Sequence, residues 1–305
     1  MTEIRAISFE EALESRALAV DGALARLLDG RLLDGEIARP ARLMEAMRHG
    51  VLAGGKRLRP FLVMQSAALF DADGEAALRV AAALECVHCY SLIHDDLPSM
   101  DNDDIRRGKP TVHRAFDEAT AILAGDGLLT FAFDIIADEA TALPATVRLD
   151  LVLSLARAAG IGGMVGGQML DLDAARTRPD EAGIVTLQAM KTGALIRYAC
   201  EAGAAAGQAS AADRERLSEF GSAIGLAFQL ADDLLDVTGD AAQLGKATGK
   251  DDDAGKATLV ALHGEDWTRR QLRGLVEQAR ALLEPFGARA ALLVEAASFV
   301  ADRRR

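Results

Sequence analysis

Aromatic side chains are scarce in this chain, at 4 % of 305 residues with one Trp and two Tyr. Ala and Leu outnumber Val and Ile as well, and that balance disfavours sheet and points to helices. Cysteine is limited to Cys86, Cys89 and Cys200. None pairs with a histidine at zinc-finger spacing, and Cys86 and Cys89 stand three apart in an apolar helical pattern, as buried thiols of a reducing compartment do. Positive charge is in deficit: the formal net charge is −12, which argues against general attraction to nucleic acid or anionic lipid unless basic residues gather locally. The opening "MTEIRAISFEEALES" lacks the charged-then-apolar layout of a leader, and no apolar run reads as long enough to span a bilayer. A soluble, cytoplasmic chain without stable membrane insertion is the expectation. Two catalytic signatures are missing. The segments ending at Gly245-Lys246 and Gly255-Lys256 have the wrong spacing for a P-loop and are each followed by Ala, and no Gly-x-Ser-x-Gly elbow supports a serine hydrolase.

What remains is helical. Apolar residues at helical spacing follow Ser8, a capping residue with Glu10 and Glu11 in the first turn. A second run breaks at the paired glycines of "RHGVLAGGKRLRP", after which Pro60 suits an early helical position. Further runs cover about Glu75 to Leu97, Glu118 to Ala140, Ala145 to Gly160, Leu187 to Ala206, Asp213 to Val237, Trp267 to Leu283 and Arg289 to Asp302. No alternating strand pattern, fixed repeat or low-complexity linker divides residues 1–305, so one all-α domain is expected, a helical bundle with its function in the loops. The glycine-dense "GIGGMVGGQMLDL" reads equally as a loop against a ligand or as small residues that let helices approach.

Carboxylates gather in two places. In "LIHDDLPSMDNDDIRRGKP", Asp95, Asp96, Asp101, Asp103 and Asp104 crowd the end of a helix on which His88, Ser91 and Asp95 share a face. In "FQLADDLLDVTGD", Asp232 and Asp236 stand four apart with Asp233 between them and Gln229 a turn earlier. The flanks of the second cluster, Phe228, Leu230, Leu234, Leu235 and Val237, are apolar. Carboxylates there would raise one another's pKa unless a cation neutralised them. An all-oxygen donor set suits Mg²⁺ or Ca²⁺, and Mg²⁺ is commonly shared with substrate phosphates. Short basic patches complete the set: Lys56, Arg57 and Arg59; Arg106, Arg107 and Lys109; Lys191; and Lys246, Lys250 and Lys256. Arg offers phosphate a planar fork and Lys a mobile point charge. The combination suggests a diphosphate held by Mg²⁺ on one side and by Arg and Lys on the other.

In order along the chain, "GGKRLRP", "HDDLPSMDNDDIRRGKPTVH", "GGQMLDL", "KTGALI", "FQLADDLLDVTGD" and "GKATGKDDDAGKATLV" resemble the successive motifs of the trans-isoprenyl diphosphate synthases, most of all the bacterial farnesyl type. The resemblance implies an isoprenoid-synthase-type helical bundle around a deep central cavity, commonly as a homodimer. It also implies Mg²⁺-assisted ionisation of an allylic diphosphate and head-to-tail addition of isopentenyl diphosphate. Dimethylallyl and then geranyl diphosphate would be extended to farnesyl diphosphate; geranylgeranyl diphosphate synthesis is the alternative within the family. By the same resemblance Asp95, Asp96, Asp101, Asp232, Asp233 and Asp236 hold the metal. Arg106, Lys191 and Lys246 contact the allylic diphosphate, and Gly55, Lys56, Arg59, His88 and Arg107 bind isopentenyl diphosphate. Thr192 and Gln229 place oxygens near the developing cation, and Lys256 belongs to a loop that closes over the diphosphates. Tyr90 and Ser91, five and four residues before Asp95, set product length. Asp171 is a weaker candidate, and Asp251, Asp252 and Asp253 read as a solvated loop run.

Overall fold

The computed structural model describes residues 7–238 and 258–302. Lys246, Lys250, Lys256 and Asp251 to Asp253 therefore lie outside the described residues.

The chain forms α1 (Phe9–Leu27), α2 (Ala41–Val51), α3 (Leu58–Ala68), α4 (Gly74–Asp95), α5 (Val112–Ala115), α6 (Glu118–Ala137), α7 (Ala145–Ala159), α8 (Met164–Thr177) and α9 (Glu181–Gln188). A π-helical turn (Ala189–Gly193) then leads into α10 (Ala194–Ala206) and the long α11 (Ala211–Thr238); α12 (Leu259–His263), α13 (Glu265–Leu283), a 3-10 stretch (Glu284–Ala290) and α14 (Ala291–Ala301) follow. Among the described residues the sole strands are β1 (Ile105–Arg106) and β2 (Lys109–Pro110), a two-residue antiparallel ribbon. The all-α expectation holds.

Capping side chains explain where several helices start. The Ser8 hydroxyl accepts from the Glu11 amide while the Glu11 carboxylate accepts from the Ser8 amide, a complete capping box at α1. Asp73 and Asp117 cap α4 and α6 in the same sense. The core centres on α4, which packs against α3 and α6, while α10 packs against α3, α7 and α11. Ala81, Ala82, Ala83 and Leu84 are fully buried on α4. The small side chains of the three alanines let neighbouring helices approach α4 closely.

One open pair of readings narrows and one expectation changes. The glycine-dense segment turns at residues 160–163 and then forms α8. Gly167 lies so near the π-helical turn that a Cβ there would come within 2.2 Å of the Lys191 amide nitrogen, so the close-approach reading is the one the structure supports. The hydropathy expectation is also corrected, since Gly74–Asp95, Glu118–Ala137 and Ala145–Ala174 are long and apolar enough to cross a bilayer by length and composition. Scattered charges such as Glu85 break the uninterrupted runs without lowering the helix average. The fold uses the first of these segments as its central helix, with 78 % of its apolar window buried.

Candidate active site

The ends of α4 and α11 meet at one cavity of about 580 Å³, lined by Asp95 from the first helix and Asp232 from the second. His88, Tyr90 and Ser91 line it from α4 and Phe228 and Gln229 from α11, so the two faces anticipated from spacing do converge. The chain after Asp95 folds back on itself. The Asp101 amide donates to the Asp95 carbonyl at 2.8 Å, the Asn102 amide donates to the Leu97 carbonyl at 3.1 Å, and Asn102 takes a left-handed φ of 53°. The Asp101 backbone is thereby tied to that of Asp95, and Asp236 is exposed in the last turns of α11.

Burial pushes the Asp95 carboxyl up to about 6; Lys191 draws it down, and Asp101 and Asp96 push it up again. A carboxylate that is desolvated and repelled by neighbouring carboxylates is stabilised by a cation of concentrated charge. Among the described residues no three His, Cys, Asp or Glu side chains group so as to hold a metal ion by themselves; Asp95 and Asp232 offer the oxygen donors that suit a hard divalent ion such as Mg²⁺, which is commonly shared with substrate phosphates. The second member of each Asp-Asp pair is turned elsewhere. Asp96, 2 % exposed, accepts from Arg106 at 2.7 Å, and buried Asp233 accepts from the Gln188 side-chain amide at 2.8 Å. Adjacent residues on a helix point about 100° apart, so one aspartate of each pair faces the cavity and the other an adjoining helix or loop.

The cationic side of the cavity is built from three segments. Arg106 on β1 and Arg107 in the ribbon turn line it together with Arg59 of α3. Burial opposes the charge of Arg106, but Asp96, Asp103 and Asp95 outweigh it and raise its pKa. His88 Nε2 lies 3.4 Å from Arg59 Nη1. Burial, then the charges of Arg59 and Arg107, hold its imidazole well below the ordinary histidine range, so His88 is neutral. Lys191 projects from the π-helical turn and pairs with Asp171 at 2.6 Å, giving that aspartate its role of holding the lysine beside Thr192 in the cavity wall. Such turns are frequent at functional sites because the extra residue redirects the side chains.

Two expected binding residues stand apart from the cavity lining. Lys56 is exposed with its Nζ 5.1 Å from the Phe299 ring centroid. Gly55 contributes space: a Cβ there would fall 2.7 Å from Arg107 Cζ. Arg57, part of the same basic patch, is buried and ion-paired to Glu85.

Below the charged mouth the walls are apolar. Met164, Val165, Met169 and Leu172 line one side from α8, and Leu195 and Phe228 another. Gln168, on the same α8 face, has its amide nitrogen buried without a hydrogen-bond partner among the described residues. The sequence offers this segment as a loop against a ligand or a close helix approach, not as a helical wall, although the spacing of Met164, Gln168 and Leu172 by fours marks one helix face. Tyr90 is 5 % exposed with its ring edge-on to His94 at 5.7 Å. Burial raises its phenol to about 12, with the Asp95 charge adding to the shift.

Comparison with known proteins agrees with this geometry. Residues 40–283 match the family model described as polyprenyl synthetase. The chain is 42 % identical over 298 residues to the farnesyl diphosphate synthase of Geobacillus stearothermophilus, covering 97 % of this chain and 98 % of the relative. It is 47 % identical over 248 residues to that of Escherichia coli strain K12, covering 79 % and 82 %. The crystal structure of an FPP/GFPP synthase from Zymomonas mobilis superposes with a TM-score of 0.84 at 45 % identity, covering 96 % of this chain and 98 % of that one. With its two aspartate-bearing helices turned onto one half-apolar cavity, the chain belongs to the polyprenyl synthetase family.

Proposed function

We propose that the protein is a prenyltransferase that condenses isopentenyl diphosphate head-to-tail with dimethylallyl and then geranyl diphosphate, giving farnesyl diphosphate and inorganic diphosphate. The observation that carries this is the junction of Asp95 and Asp232 on one cavity whose mouth is cationic and whose depth is apolar. Asp95, Asp101, Asp232 and Asp236 would hold Mg²⁺ together with the substrate diphosphate, and the ion would supply electrostatic stabilisation of that leaving group. Asp96 and Asp233 act behind these ligands, fixing Arg106 and Gln188 respectively.

Arg106 and Lys191 bind the allylic diphosphate. Lys246 joins them in the expectation drawn from the motifs, as Lys256 does for closure; both lie outside the described residues. Arg59, neutral His88 and Arg107 bind isopentenyl diphosphate by charge and hydrogen bonding alone, with Lys56 and Gly55 in the same loop. Thr192 and Gln229 turn oxygens toward the carbon that becomes electron-poor. Met164, Met169, Leu172, Leu195 and Phe228 exclude the water that would capture an allylic cation as an alcohol. The C–O bond breaks to release diphosphate, the alkene of isopentenyl diphosphate attacks the resulting allylic cation, and the proton lost afterwards passes to the released diphosphate, so no side chain is needed as base. Tyr90 closes the depth at farnesyl length.

The working unit on this reading is a cytoplasmic homodimer. Exposed Ile122 and Leu123 on α6 and Leu149 and Leu153 on α7 support a covered apolar face. Sedimentation equilibrium checks it, and a monomer at micromolar concentration contradicts it. The catalytic reading is tested by inorganic diphosphate release from the purified protein. Release is expected to require isopentenyl diphosphate, an allylic diphosphate and Mg²⁺ together, and no release with all three present overturns it.

A further inference from the structure

One cation of the Gly54 to Arg59 loop turns into the protein interior instead of toward the cavity or solvent. Arg57 stands between Lys56 and Arg59, yet its side chain has 0 % exposure and its partner Glu85 on α4 has 2 %. The same guanidinium donates from Nε to Asp21 on α1 at 2.9 Å and from Nη2 to the Val51 carbonyl at the end of α2 at 2.6 Å. Cys89 Sγ lies 3.9 Å from Nη1. One planar fork thus ties the loop to three helices.

The backbone explains why neighbouring cations part. Arg57 takes a left-handed φ of 51°, and its carbonyl opens α3 by accepting from the Phe61 amide at 2.9 Å. Lys56 is left exposed, Arg57 is driven inward and Arg59 emerges at the cavity two residues later. The loop also seats a cation from elsewhere, since the Arg107 guanidinium donates to the Gly54 carbonyl and occupies the space where Gly55 lacks a Cβ.

We propose that Arg57 and Glu85 are positioning residues for the isopentenyl diphosphate subsite, their buried ion pair fixing the loop so that Arg59 and Arg107 converge beside His88. The pair touches no substrate. This proposal rests on the assignment of Arg59, His88 and Arg107 to isopentenyl diphosphate. A pair serving cohesion alone could be exchanged for apolar side chains of similar volume with little loss. What apolar side chains do not reproduce is direction: the fork fixes angle as well as distance at each end.

Steady-state kinetics on Glu85→Gln and on the double variant Arg57→Met/Glu85→Met, alongside thermal melting, separate the two roles. Glu85→Gln is expected to raise the KM for isopentenyl diphosphate about tenfold, leaving the allylic KM and kcat within about threefold. The double variant is expected to melt near the parent and keep the raised KM, because packing is restored and direction is not. A parental isopentenyl KM in either folded variant overturns the proposal, as does an equal rise in both KM values. Asp21→Asn, at a half-exposed partner, supplies the readout if the buried variants fail to fold, and a smaller rise in the same KM is expected; its absence counts against the proposal. Arg59→Ala serves as the reference: if it too leaves the isopentenyl KM unchanged, the subsite assignment itself has failed.

Discussion

His88, Ser91 and Asp95 follow one another along a single face of α4, and the protonation of the two ionisable members is set by what surrounds each. Neutral His88 can accept from Arg59 or donate toward a phosphate oxygen. In the unfolded chain its imidazole takes a proton below about pH 6.5, whereas burial and the charges of Arg59 and Arg107 resist that proton in the fold. The unfolded state therefore binds more protons in acid. The His88 contribution to stability is present above about pH 6.5 and is lost as pH falls toward the depressed folded value. His88→Gln is expected to flatten the decline of stability between about pH 6.5 and pH 5 in urea titrations, and an unchanged slope would show that His88 protonates freely. On the proposed reading Asp232 serves catalysis more than folding. Asp232→Asn is expected to lower kcat by about a hundredfold or more at saturating Mg²⁺ while the melting temperature stays near the parent, and near-parental turnover would remove Asp232 from the ligand set.

Helices α8 and α11 carry the walls of the cavity, and α8 was the harder to foresee. The starts of α1, α4 and α6 are written in Ser8, Asp73 and Asp117. The N-cap of α8 is Gly163 without a side-chain bond, and four glycines at 162–163 and 166–167 mask its apolar face. Asp180 does cap α9, a signal available in the sequence that the reading passed over when it began that helix at Leu187. Within the motifs, residue type alone could not separate Arg57 from Arg59, because the left-handed backbone that sends them in opposite directions is a tertiary outcome. The division within each Asp-Asp pair was legible in principle, since adjacent helical residues cannot share a face. Gly167→Ala tests the packing of α8 on the π-helical turn. A Cβ at 2.2 Å from the Lys191 amide nitrogen forces the two segments apart, at about 1–3 kcal/mol, and displaces Lys191 from the cavity. Gly162→Ala meets nothing within 4 Å and is expected to be near neutral. Equal stability of the two variants in chemical denaturation would contradict the close-approach reading.

At the scale of the whole molecule, the bundle joins a cationic and carboxylate-rich mouth to an apolar depth, and on the proposed reading the distance between mouth and floor would select the product. Tyr90 lies five residues before Asp95 on α4, roughly 7 Å along the axis at about 1.5 Å per residue. Its ring is buried and braced edge-on by His94, while half-buried Ser91 beside it leaves space. On the proposed reading, a prenyl tail descending from the Asp95 end of α4 would meet this ring. The most direct measurement is the chain length of the dephosphorylated products, resolved by chromatography, from the parent protein and Tyr90→Ala under matched isopentenyl and allylic diphosphate with Mg²⁺. The parent is expected to yield farnesol and Tyr90→Ala mainly geranylgeraniol or longer alcohols, with the first condensation little changed. Farnesol unchanged from an active Tyr90→Ala variant would place the floor elsewhere, and geranylgeraniol from the parent would contradict the assignment of this cavity to farnesyl diphosphate.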